Sequence, residues 1–380
     1  MKVSEFINAL ARLGVDYYTG VPDSQLAALC SYLIREHGLR AEKHIVAANE
    51  GGAVALAAGH YLATGKPGMV YLQNSGIGNT INPICSLVHR DVYQIPMVLV
   101  VGWRGQPGTK DEPQHIFQGR VTRELLDCVE VENAVLTAGT TEKEFEEMVA
   151  RCAACLKEDR QFAFVVSKGA FEEEVKYKET RAYPLSREQA LECVVSMDNG
   201  HSFYVSTTGK LSRELFELRE ARKQGHDRDF LTVGSMGHSI MIAQGIAAAK
   251  RDKMVFCLDG DGACLMHMGS AAVAASCGSE NLIHIIFNNA AHESVGGIPT
   301  VAGKIDLTGA AAAFGYKTTC RAVTREEVKA AVQRAIDSTG PHFIEIMVNL
   351  DVRKDLGRPT TTPWQNKEAF MERLGREAEE

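Results

Sequence analysis

A short run of acidic residues and glycines follows an apolar stretch in the second half of the chain. Residues 254–258 (MVFCL) are typical of a buried strand, and residues 259–262 (DGDG) follow them at once. The next apolar run, 282–287 (LIHIIF), ends in Asn288 and Asn289. Glycine lets the backbone turn sharply after a strand and lets a ligand come close. Because ligand sites of α/β sheets lie outside the carboxyl ends of strands, we expect both strand tips side by side at such an edge.

The oxygen atoms at these two strand tips suit a magnesium ion. The set would combine the carboxylate of Asp261, an amide oxygen of Asn288 or Asn289, and a backbone carbonyl of the turn. Mg²⁺ takes hard oxygen ligands and is commonly shared between protein and phosphate groups. For either tip alone, an ordinary turn rich in Gly, Asp and Asn is the alternative. The spacing of the two tips, one helix and one strand apart, favours an ion shared with a diphosphate.

Both halves of the chain alternate apolar runs with helical patterns. The runs are too uniformly apolar for a sheet with one wet face, so we expect mostly parallel sheets covered by helices on both faces. The predicted fold class is α/β with two similar domains, 1–180 and 187–380, and the charged stretch 171–184 is the predicted linker. The predicted strands are 44–48, 68–72, 95–101 and 162–166 in the first domain, and 203–207, 254–258, 282–287 and 343–348 in the second.

Local signals mark several helix starts. In a capping box, a Ser or Thr and a Glu or Gln three residues later satisfy backbone donors reciprocally. The N-terminal residues 3–13 carry apolar side chains at helical spacing and predict an amphipathic helix rather than a signal peptide. The predicted capping boxes are Thr141 with Glu144, Ser186 with Gln189, and Thr324 with Glu327.

The size and charge of the chain limit the classes of function. Its 380 residues are enough for two ordinary domains. A net charge of −7 argues against a basic surface for nucleic acid or an anionic membrane. The most apolar stretch, 95–103, is too short to cross a bilayer. Without a secretion signal, the ten cysteines are expected to be reduced thiols in the cytoplasm.

The two strand tips, GDG at 260–262 and NN at 288–289, resemble the signature of thiamine diphosphate enzymes. The resemblance implies a pyrimidine-binding domain followed by a diphosphate-binding domain, both α/β, with thiamine diphosphate and Mg²⁺ as cofactors. It also implies a glutamate in the first domain that hydrogen-bonds the aminopyrimidine ring. Glu50, in AANEGGAVAL at the start of a small-residue helix, matches this role. Taken alone, Glu50 could instead be an acidic residue that pairs with a helix dipole.

Segments across nearly the whole chain resemble one branch of this superfamily, the phosphonopyruvate and sulfopyruvate decarboxylases. The resemblance implies decarboxylation of 3-phosphonopyruvate to phosphonoacetaldehyde and CO₂ in phosphonate biosynthesis, with sulfopyruvate, giving sulfoacetaldehyde, as the alternative substrate. It also implies a homodimer or larger homo-oligomer with active sites between subunits. The segments are TGVPDSQL (19–26), VYLQNSGIGNTINP (70–83), GWRGQPGTKDEPQH (102–115), GSMGHS (234–239), NNAAHESVGGIPT (288–300) and DLGRPTTTP (355–363).

The resemblance also assigns ligands. Asp261, Asn289 and the Ala291 carbonyl are the implied metal ligands, and Asn288 is the alternative amide. Met236 is the implied wedge that bends the cofactor; filling a gap in the core is the alternative. The other implied contacts of the diphosphate are Gly209, Gly234, Ser235, Gly237, His238, Gly260, Gly262 and Ala263.

The implied substrate carries a carboxylate that leaves and a phosphonate or sulfonate that must be held. Arginine suits the second group because its planar fork forms paired, charge-assisted hydrogen bonds. Arg104 and Arg358 are the arginine candidates, and Lys304 and His115 are further candidates. An ordinary solvated charge is the alternative for each.

A proton donor is needed after CO₂ leaves. Asp23, in GVPDS, resembles the aspartate that related decarboxylases keep in a glycine-rich N-terminal loop, and an ordinary turn or helix cap is the alternative. His115 and His292 are the other acid–base candidates because histidine titrates near neutral pH. For each histidine, a purely structural role is the alternative.

Overall fold

The computed structural model describes residues 1–198 and 200–376, which form two compact units. Each unit is built on a six-stranded parallel sheet, which confirms the predicted fold class. Unit 1 comprises Met1–Glu179 and His292–Pro299, and unit 2 comprises Thr180–Ala291 and the described residues from Thr300 onward.

The segment His292–Pro299 was not expected in unit 1, because the sequence division assigned every residue after 187 to the second domain. Val295 and Ile298 of this segment are buried in the apolar core of unit 1. The sequence around these two apolar residues is rich in glycine, and it does not indicate which of the two cores they join.

The sheet of unit 1 is covered by helices on both faces. Its strands are β1 (Tyr18–Gly20), β2 (His44–Val46), β3 (Gly68–Gln73), β4 (Met97–Gly102), β5 (Glu132–Leu136) and β6 (Gln161–Val166). Its helices are α1 (Val3–Arg12), α2 (Ala27–His37), α3 (Glu50–Thr64), α4 (Ile77–Pro83), α5 (Pro113–Cys128) and α6 (Glu142–Lys157). The strand order is β2-β1-β3-β4-β6-β5. In β4, Val98 and Val100 join a core with α1, α2 and α6, whereas Leu99 and Val101 join a second core with α3 and α5.

Unit 2 repeats this architecture. Its helices are α7 (Arg187–Ser196), α8 (Lys210–Ala221), α9 (Ser239–Ala249), α10 (Asp261–Met266), α11 (Gly269–Cys277), α12 (Leu307–Phe314), α13 (Arg325–Ile336) and α14 (Pro363–Arg376). The remaining strands of the chain are β7 (Phe203–Ser206), β8 (Asp229–Leu231), β9 (Val255–Gly260), β10 (Leu282–Asn288), β11 (Ala291–His292), β12 (Ile298–Pro299), β13 (Thr318–Ala322) and β14 (His342–Met347). The sheet order is β13-β14-β10-β9-β7-β8, and the two-residue strands β11 and β12 pair with each other. Ile285 packs with α7, α8 and α13, whereas Ile286 packs with α11 and α12 on the other face.

The local signals in the sequence are confirmed at the helix starts. All three predicted capping boxes form, at the starts of α6, α7 and α13. The amphipathic N-terminal helix is α1. The eight predicted strands are present, but β1, β5, β8, β13 and the two-residue strands β11 and β12 were not predicted. All ten cysteines are free thiols, and none of the helices in the described part of the chain is long and apolar enough to cross a membrane.

We expect the substitution Phe6→Ala to destabilise unit 1 by about 3–5 kcal/mol, because it removes a large side chain from a closed core. The Phe6 ring is fully buried and lies with its centroid 5.1 Å from those of Phe164 and Phe171. Urea unfolding followed by circular dichroism measures the effect. Leu62→Ala, at a side chain that is 73% exposed in the same unit, is the control and should change stability by less than about 0.5 kcal/mol. Equal losses for both variants would contradict the expectation.

Candidate active site

Polar side chains gather at one edge of the sheet in unit 1. The strands β2, β1, β3 and β4 are neighbours and parallel, so their carboxyl ends lie at the same edge. Asp23, Glu50, Gln73 and Arg104 stand at or shortly after these strand ends. The edge therefore carries three of the residues that the sequence analysis singled out, and it adds Gln73, which the sequence analysis did not.

Glu50 is a buried carboxyl group at the first position of α3. Its side chain is only 5% exposed, and Oε2 accepts a hydrogen bond of 2.7 Å from Nδ2 of Asn79. Burial is the main cause that raises the pKa of Glu50, and the bond from Asn79 opposes it. Glycine is required at position 76, because a Cβ atom there would lie 2.3 Å from Oε1 of Glu50. The fold thus keeps a poorly solvated carboxyl group whose side-chain donor, Asn79, is neutral.

Asp23 is a second buried carboxyl group at this edge. It is 2% exposed; Oδ1 accepts a hydrogen bond of 2.5 Å from Nε2 of Gln73, and Oδ2 accepts one of 3.0 Å from the backbone N–H of Gln25. A Cβ atom at Gly102 would lie 2.1 Å from Oδ2, so the end of β4 closes directly against the carboxyl group. Burial raises the pKa of Asp23. A carboxyl group with a raised pKa keeps its proton to higher pH and suits proton donation.

Arg104 is held by an aspartate that the sequence analysis did not single out. Its Nε and Nη2 atoms donate to Asp111 over 2.8 and 2.5 Å, and Nη1 donates to Oγ of Ser24 over 3.3 Å. The guanidinium group holds the pKa of Asp111 well below its usual range. The charge of Arg104 is therefore largely balanced within unit 1.

His115 lies in the first turn of α5, next to the loop that carries Arg104. Burial, aided by the nearby charge of Arg104, lowers the pKa of His115. The loop and the helix touch through backbone, since a Cβ atom at Gly105 would lie 1.8 Å from the carbonyl oxygen of His115. The ring of His115 is therefore neutral near pH 7 and offers one donor and one acceptor rather than a charge.

In unit 2, Asp261 stands at the carboxyl end of β9, as the sequence predicted. It is the first residue of α10 and is 3% exposed. Its Oδ2 atom accepts a hydrogen bond of 2.5 Å from Oγ1 of Thr300. Burial raises the pKa of Asp261 to about 6. A cation near this carboxylate would offset the cost of burying its charge.

The two asparagines after β10 have different surroundings. Asn288 donates from Nδ2 to Oε1 of Glu345 over 2.7 Å, and its Oδ1 accepts from the backbone N–H of Ala290 over 2.8 Å. Asn289 accepts from the N–H of Ala291 over 3.0 Å. Ala290, between these two bonds, has a positive φ of 54°. The side chain of Asn288 is therefore directed into unit 2 against Glu345.

The ends of β7 and β8 provide a place for an anion. Each of these neighbouring strands leads through a turn into a helix, α8 and α9, whose N-terminal N–H groups favour negative charge. The hydroxyls of Thr207 and Ser239 are buried there and have no hydrogen-bond partner among the described residues. No atom lies within 4 Å of a Cβ built on Gly209 or Gly260. The open space and the unused donors fit a diphosphate.

The turn that leads into α9 contains the predicted diphosphate contacts Gly234–His238. Ser235 and Gly237 have positive φ values of 54° and 87°. A Cβ atom at Gly237 would lie 2.7 Å from the ring of His267 and 3.1 Å from the carbonyl oxygen of Ala263, so glycine is needed there. Met236 is half-buried within this turn.

Three further predicted residues lie in less regular segments. Lys304 is exposed at the end of the 3₁₀ turn Val301–Lys304 in unit 2. Arg358 is exposed in the segment after β14, next to Gly357, whose carbonyl oxygen accepts from Nε of Arg213 over 2.5 Å. His292 belongs to unit 1, and burial lowers its pKa to about 4.

The residues present fit thiamine diphosphate and a hard cation. Asp261, Asn289 and the carbonyl group of Ala291 are all oxygen donors, as a magnesium site requires. Glu50 presents a buried carboxyl group, as a hydrogen bond to a heterocycle nitrogen requires. The supporting residues Gln73, Asn79, Asp111, Thr300 and Glu345 were missed because their types are common and only the fold brings them next to the site. Gln73 and Asn79 lie in the segment 70–83 and Asp111 in 102–115, but nothing in those segments tells which side chain faces which partner.

Comparison with known protein families agrees with this arrangement. The family model of the N-terminal TPP binding domain of thiamine pyrophosphate (thiamine diphosphate) enzymes matches residues 1–126. The model of their C-terminal TPP binding domain matches residues 207–346. Glu50 lies within the first match, and Asp261 and Asn289 lie within the second.

Similar proteins extend over almost the full chain. A phosphonopyruvate decarboxylase of Streptomyces viridochromogenes is 33% identical, and the alignment covers 95% of this chain and 91% of that protein. A phosphonopyruvate decarboxylase of Streptomyces hygroscopicus is 34% identical, and the alignment covers 98% of this chain and 94% of that protein. A sulfopyruvate decarboxylase of Methanosarcina acetivorans is 26% identical, with 90% of both chains covered. The chain therefore belongs to the thiamine diphosphate enzymes and, among them, to the family of the phosphonopyruvate decarboxylases.

Proposed function

We propose that the protein decarboxylates 3-phosphonopyruvate to phosphonoacetaldehyde and CO₂ with thiamine diphosphate and Mg²⁺. The observation that carries this proposal is the similarity to two phosphonopyruvate decarboxylases over at least 95% of this chain. Sulfopyruvate is the second candidate substrate because a sulfopyruvate decarboxylase is similar over 90% of the chain, although at the lower identity of 26%. When bound, thiamine diphosphate supplies the electron sink that takes up the electron pair left by the departing CO₂.

Glu50 would hold the pyrimidine end of the cofactor. Its raised pKa lets the carboxyl group share a proton with a ring nitrogen, and Asn79 fixes its orientation. Gly76 leaves the space in which Oε1 lies. Each of these three residues thus contributes to one hydrogen bond that orients the cofactor.

The diphosphate end would be held in unit 2. Asp261, Asn289 and the carbonyl group of Ala291 would bind Mg²⁺, and Thr300 orients the Asp261 carboxylate. We assign the amide ligand to Asn289 because the side chain of Asn288 is directed to Glu345. The remaining contacts would come from the N-terminal ends of α8 and α9 and from Gly209, Gly234, Ser235, Met236, Gly237, His238, Gly260, Gly262 and Ala263.

The phosphonate would be held by cationic groups. Asp111 already balances Arg104, so Arg104 would contribute hydrogen bonds more than net charge. Lys304 and Arg358 are the other candidates, and both side chains are exposed. Strong neutralisation of the substrate carboxylate would hinder its loss, whereas exclusion of water favours it.

Asp23 is the candidate proton donor that the surroundings favour. Burial raises its pKa, so its carboxyl group holds a proton to higher pH than an ordinary aspartate. The lowered pKa values of His115 and His292 leave both rings neutral near pH 7, which suits hydrogen bonding rather than proton donation.

We also propose a homodimer or larger homo-oligomer, since the alpha and beta proteins of a Methanococcus maripaludis sulfopyruvate decarboxylase are named as subunits.

The proposal is tested by steady-state kinetics with phosphonopyruvate and sulfopyruvate as alternative substrates. We expect aldehyde release that requires both thiamine diphosphate and Mg²⁺, with a higher kcat/KM for phosphonopyruvate. A higher kcat/KM for sulfopyruvate would transfer the assignment to the second candidate. Equal rates with and without the added cofactors, in protein stripped by dialysis against chelator, would contradict the proposal.

We expect Glu50→Gln to lower kcat by about 10²–10⁴-fold, the usual contribution of acid–base catalysis, because an amide cannot share a proton with the ring nitrogen. The control is Glu147→Gln, at an exposed glutamate of α6, which should retain wild-type kinetics. A Glu50→Gln enzyme with unchanged kcat would remove Glu50 from the mechanism.

We expect Gly76→Ala to reduce activity in the same direction, because its methyl group would displace the Glu50 carboxylate from its present position. The matched control is Gly78→Ala, where no atom lies within 4 Å of the added Cβ. Circular dichroism should show that both variants are folded, and the kinetics of the two should differ. Equal activity of the two variants would show that the position of Oε1 does not matter.

A further inference from the structure

Three residues from three neighbouring strands of unit 2 form a series of hydrogen bonds with a buried glutamate at its centre. Arg321 of β13 donates from Nε to Oε2 of Glu345 on β14 over 2.7 Å. Oε1 of Glu345 accepts from Nδ2 of Asn288 at the end of β10 over 2.7 Å. The strands are adjacent in the order β13-β14-β10. These hydrogen bonds thus connect a half-exposed arginine to the loop that follows β10.

Burial of the Glu345 carboxylate inside a sheet is energetically unfavourable. Its side chain is 1% exposed, whereas that of Arg321 is 45% exposed. A buried carboxylate loses hydration, and a buried ion pair is often no more stable than apolar residues of the same size. Ile344 and Ile346 are buried in the apolar core on one face of the sheet, and Phe343, which shares the face of Glu345, is buried in the apolar core on the other. The packing of β14 alone therefore gives no reason for a glutamate at this position.

Asn288, at the end of this series of hydrogen bonds, is part of the loop that carries the proposed metal ligands. With its Nδ2 held by Glu345, Asn288 turns its Oδ1 to the N–H of Ala290. Ala290 has a positive φ, a conformation that alanine adopts only where the surroundings impose it. Asn289 and Ala291 flank Ala290, so the orientation of both proposed ligands depends on this conformation.

We infer that Glu345 and Arg321 are positioning residues for the cation site, acting through Asn288 on the conformation of the 289–291 loop. This inference rests on the proposed function, in which that loop binds Mg²⁺. Outer-shell partners of metal ligands commonly contribute 10–100-fold to metal affinity. Glu345 and Arg321 follow the NN motif by more than 30 residues, and only the sheet places them beside it.

The test measures the Mg²⁺ dissociation constant by isothermal titration calorimetry, in the presence of saturating thiamine diphosphate. We expect Glu345→Gln to weaken Mg²⁺ binding by about 10–100-fold, because the amide cannot accept from both Asn288 and Arg321. Arg321→Gln should weaken it in the same direction but less, since one bond to Glu345 is lost at a half-exposed position. This second variant keeps the test valid if Glu345→Gln fails to fold.

The control is Glu214→Gln. It breaks another buried pair of unit 2, in which Arg187 donates to both carboxylate oxygens of Glu214 over 2.7 Å. We expect it to lower the melting temperature but leave the Mg²⁺ dissociation constant unchanged.

Three results would overturn the inference, and they separate it from the proposed function. If the wild-type protein binds Mg²⁺ but Glu345→Gln and Arg321→Gln stay within twofold of it, the positioning role is wrong and the metal site stands. If Glu214→Gln weakens binding as much as Glu345→Gln, the effect is general destabilisation. If the wild-type protein shows no Mg²⁺ binding with thiamine diphosphate, the proposed metal site itself fails.

Discussion

The burial of carboxyl groups at strand ends is the constraint on which the rest of the site depends. Asp23, Glu50 and Asp261 are each almost fully buried, and burial is the largest cause of the raised pKa of each. Each accepts a hydrogen bond from a neutral side chain: Asp23 from Gln73, Glu50 from Asn79 and Asp261 from Thr300. A neutral donor orients a carboxyl group without balancing a negative charge, so burial favours either a proton or a bound cation at each of these groups.

Acidic residues with supporting roles are treated differently. Asp111 pairs with Arg104 and Glu345 pairs with Arg321. An arginine partner balances the charge, and Arg104 also fixes the geometry of Asp111 through two donors. Asp111 and Glu345 thus pair directly with arginine, whereas the side-chain hydrogen bonds of Asp23, Glu50 and Asp261 come from neutral groups.

Close backbone contacts keep these groups in place. Gly76 and Gly102 bring strand ends against the carboxyl groups of Glu50 and Asp23, at distances that exclude any side chain. The loop after β4 meets α5 in the same way, since a Cβ atom at Gly119 would lie 1.8 Å from the carbonyl oxygen of Gly105. At these positions there is no room for a Cβ atom, so the backbone lies directly against the two carboxyl groups and against α5.

The residue pattern predicted the two-domain α/β fold and, together with the family resemblance, candidate residues for the site. Long apolar runs such as 95–101 and capping residues such as Thr141 act locally, so their pattern is legible without the fold. Asp261 was singled out because GDG and NN follow two apolar runs at a recognisable spacing, and Glu50 because it matches the glutamate that the family resemblance implies. The folded chain added β1 and β8, of three residues each, the two-residue strands β11 and β12, and the edge strands β5 and β13, where partial burial weakens the apolar signal. It alone joined Arg104 to Asp111, Asp23 to Gln73, and Asn288 to Glu345. The last two of these pairs are 50 and 57 residues apart in the chain. Their contact follows from the order of parallel strands in the sheet, which local sequence does not encode.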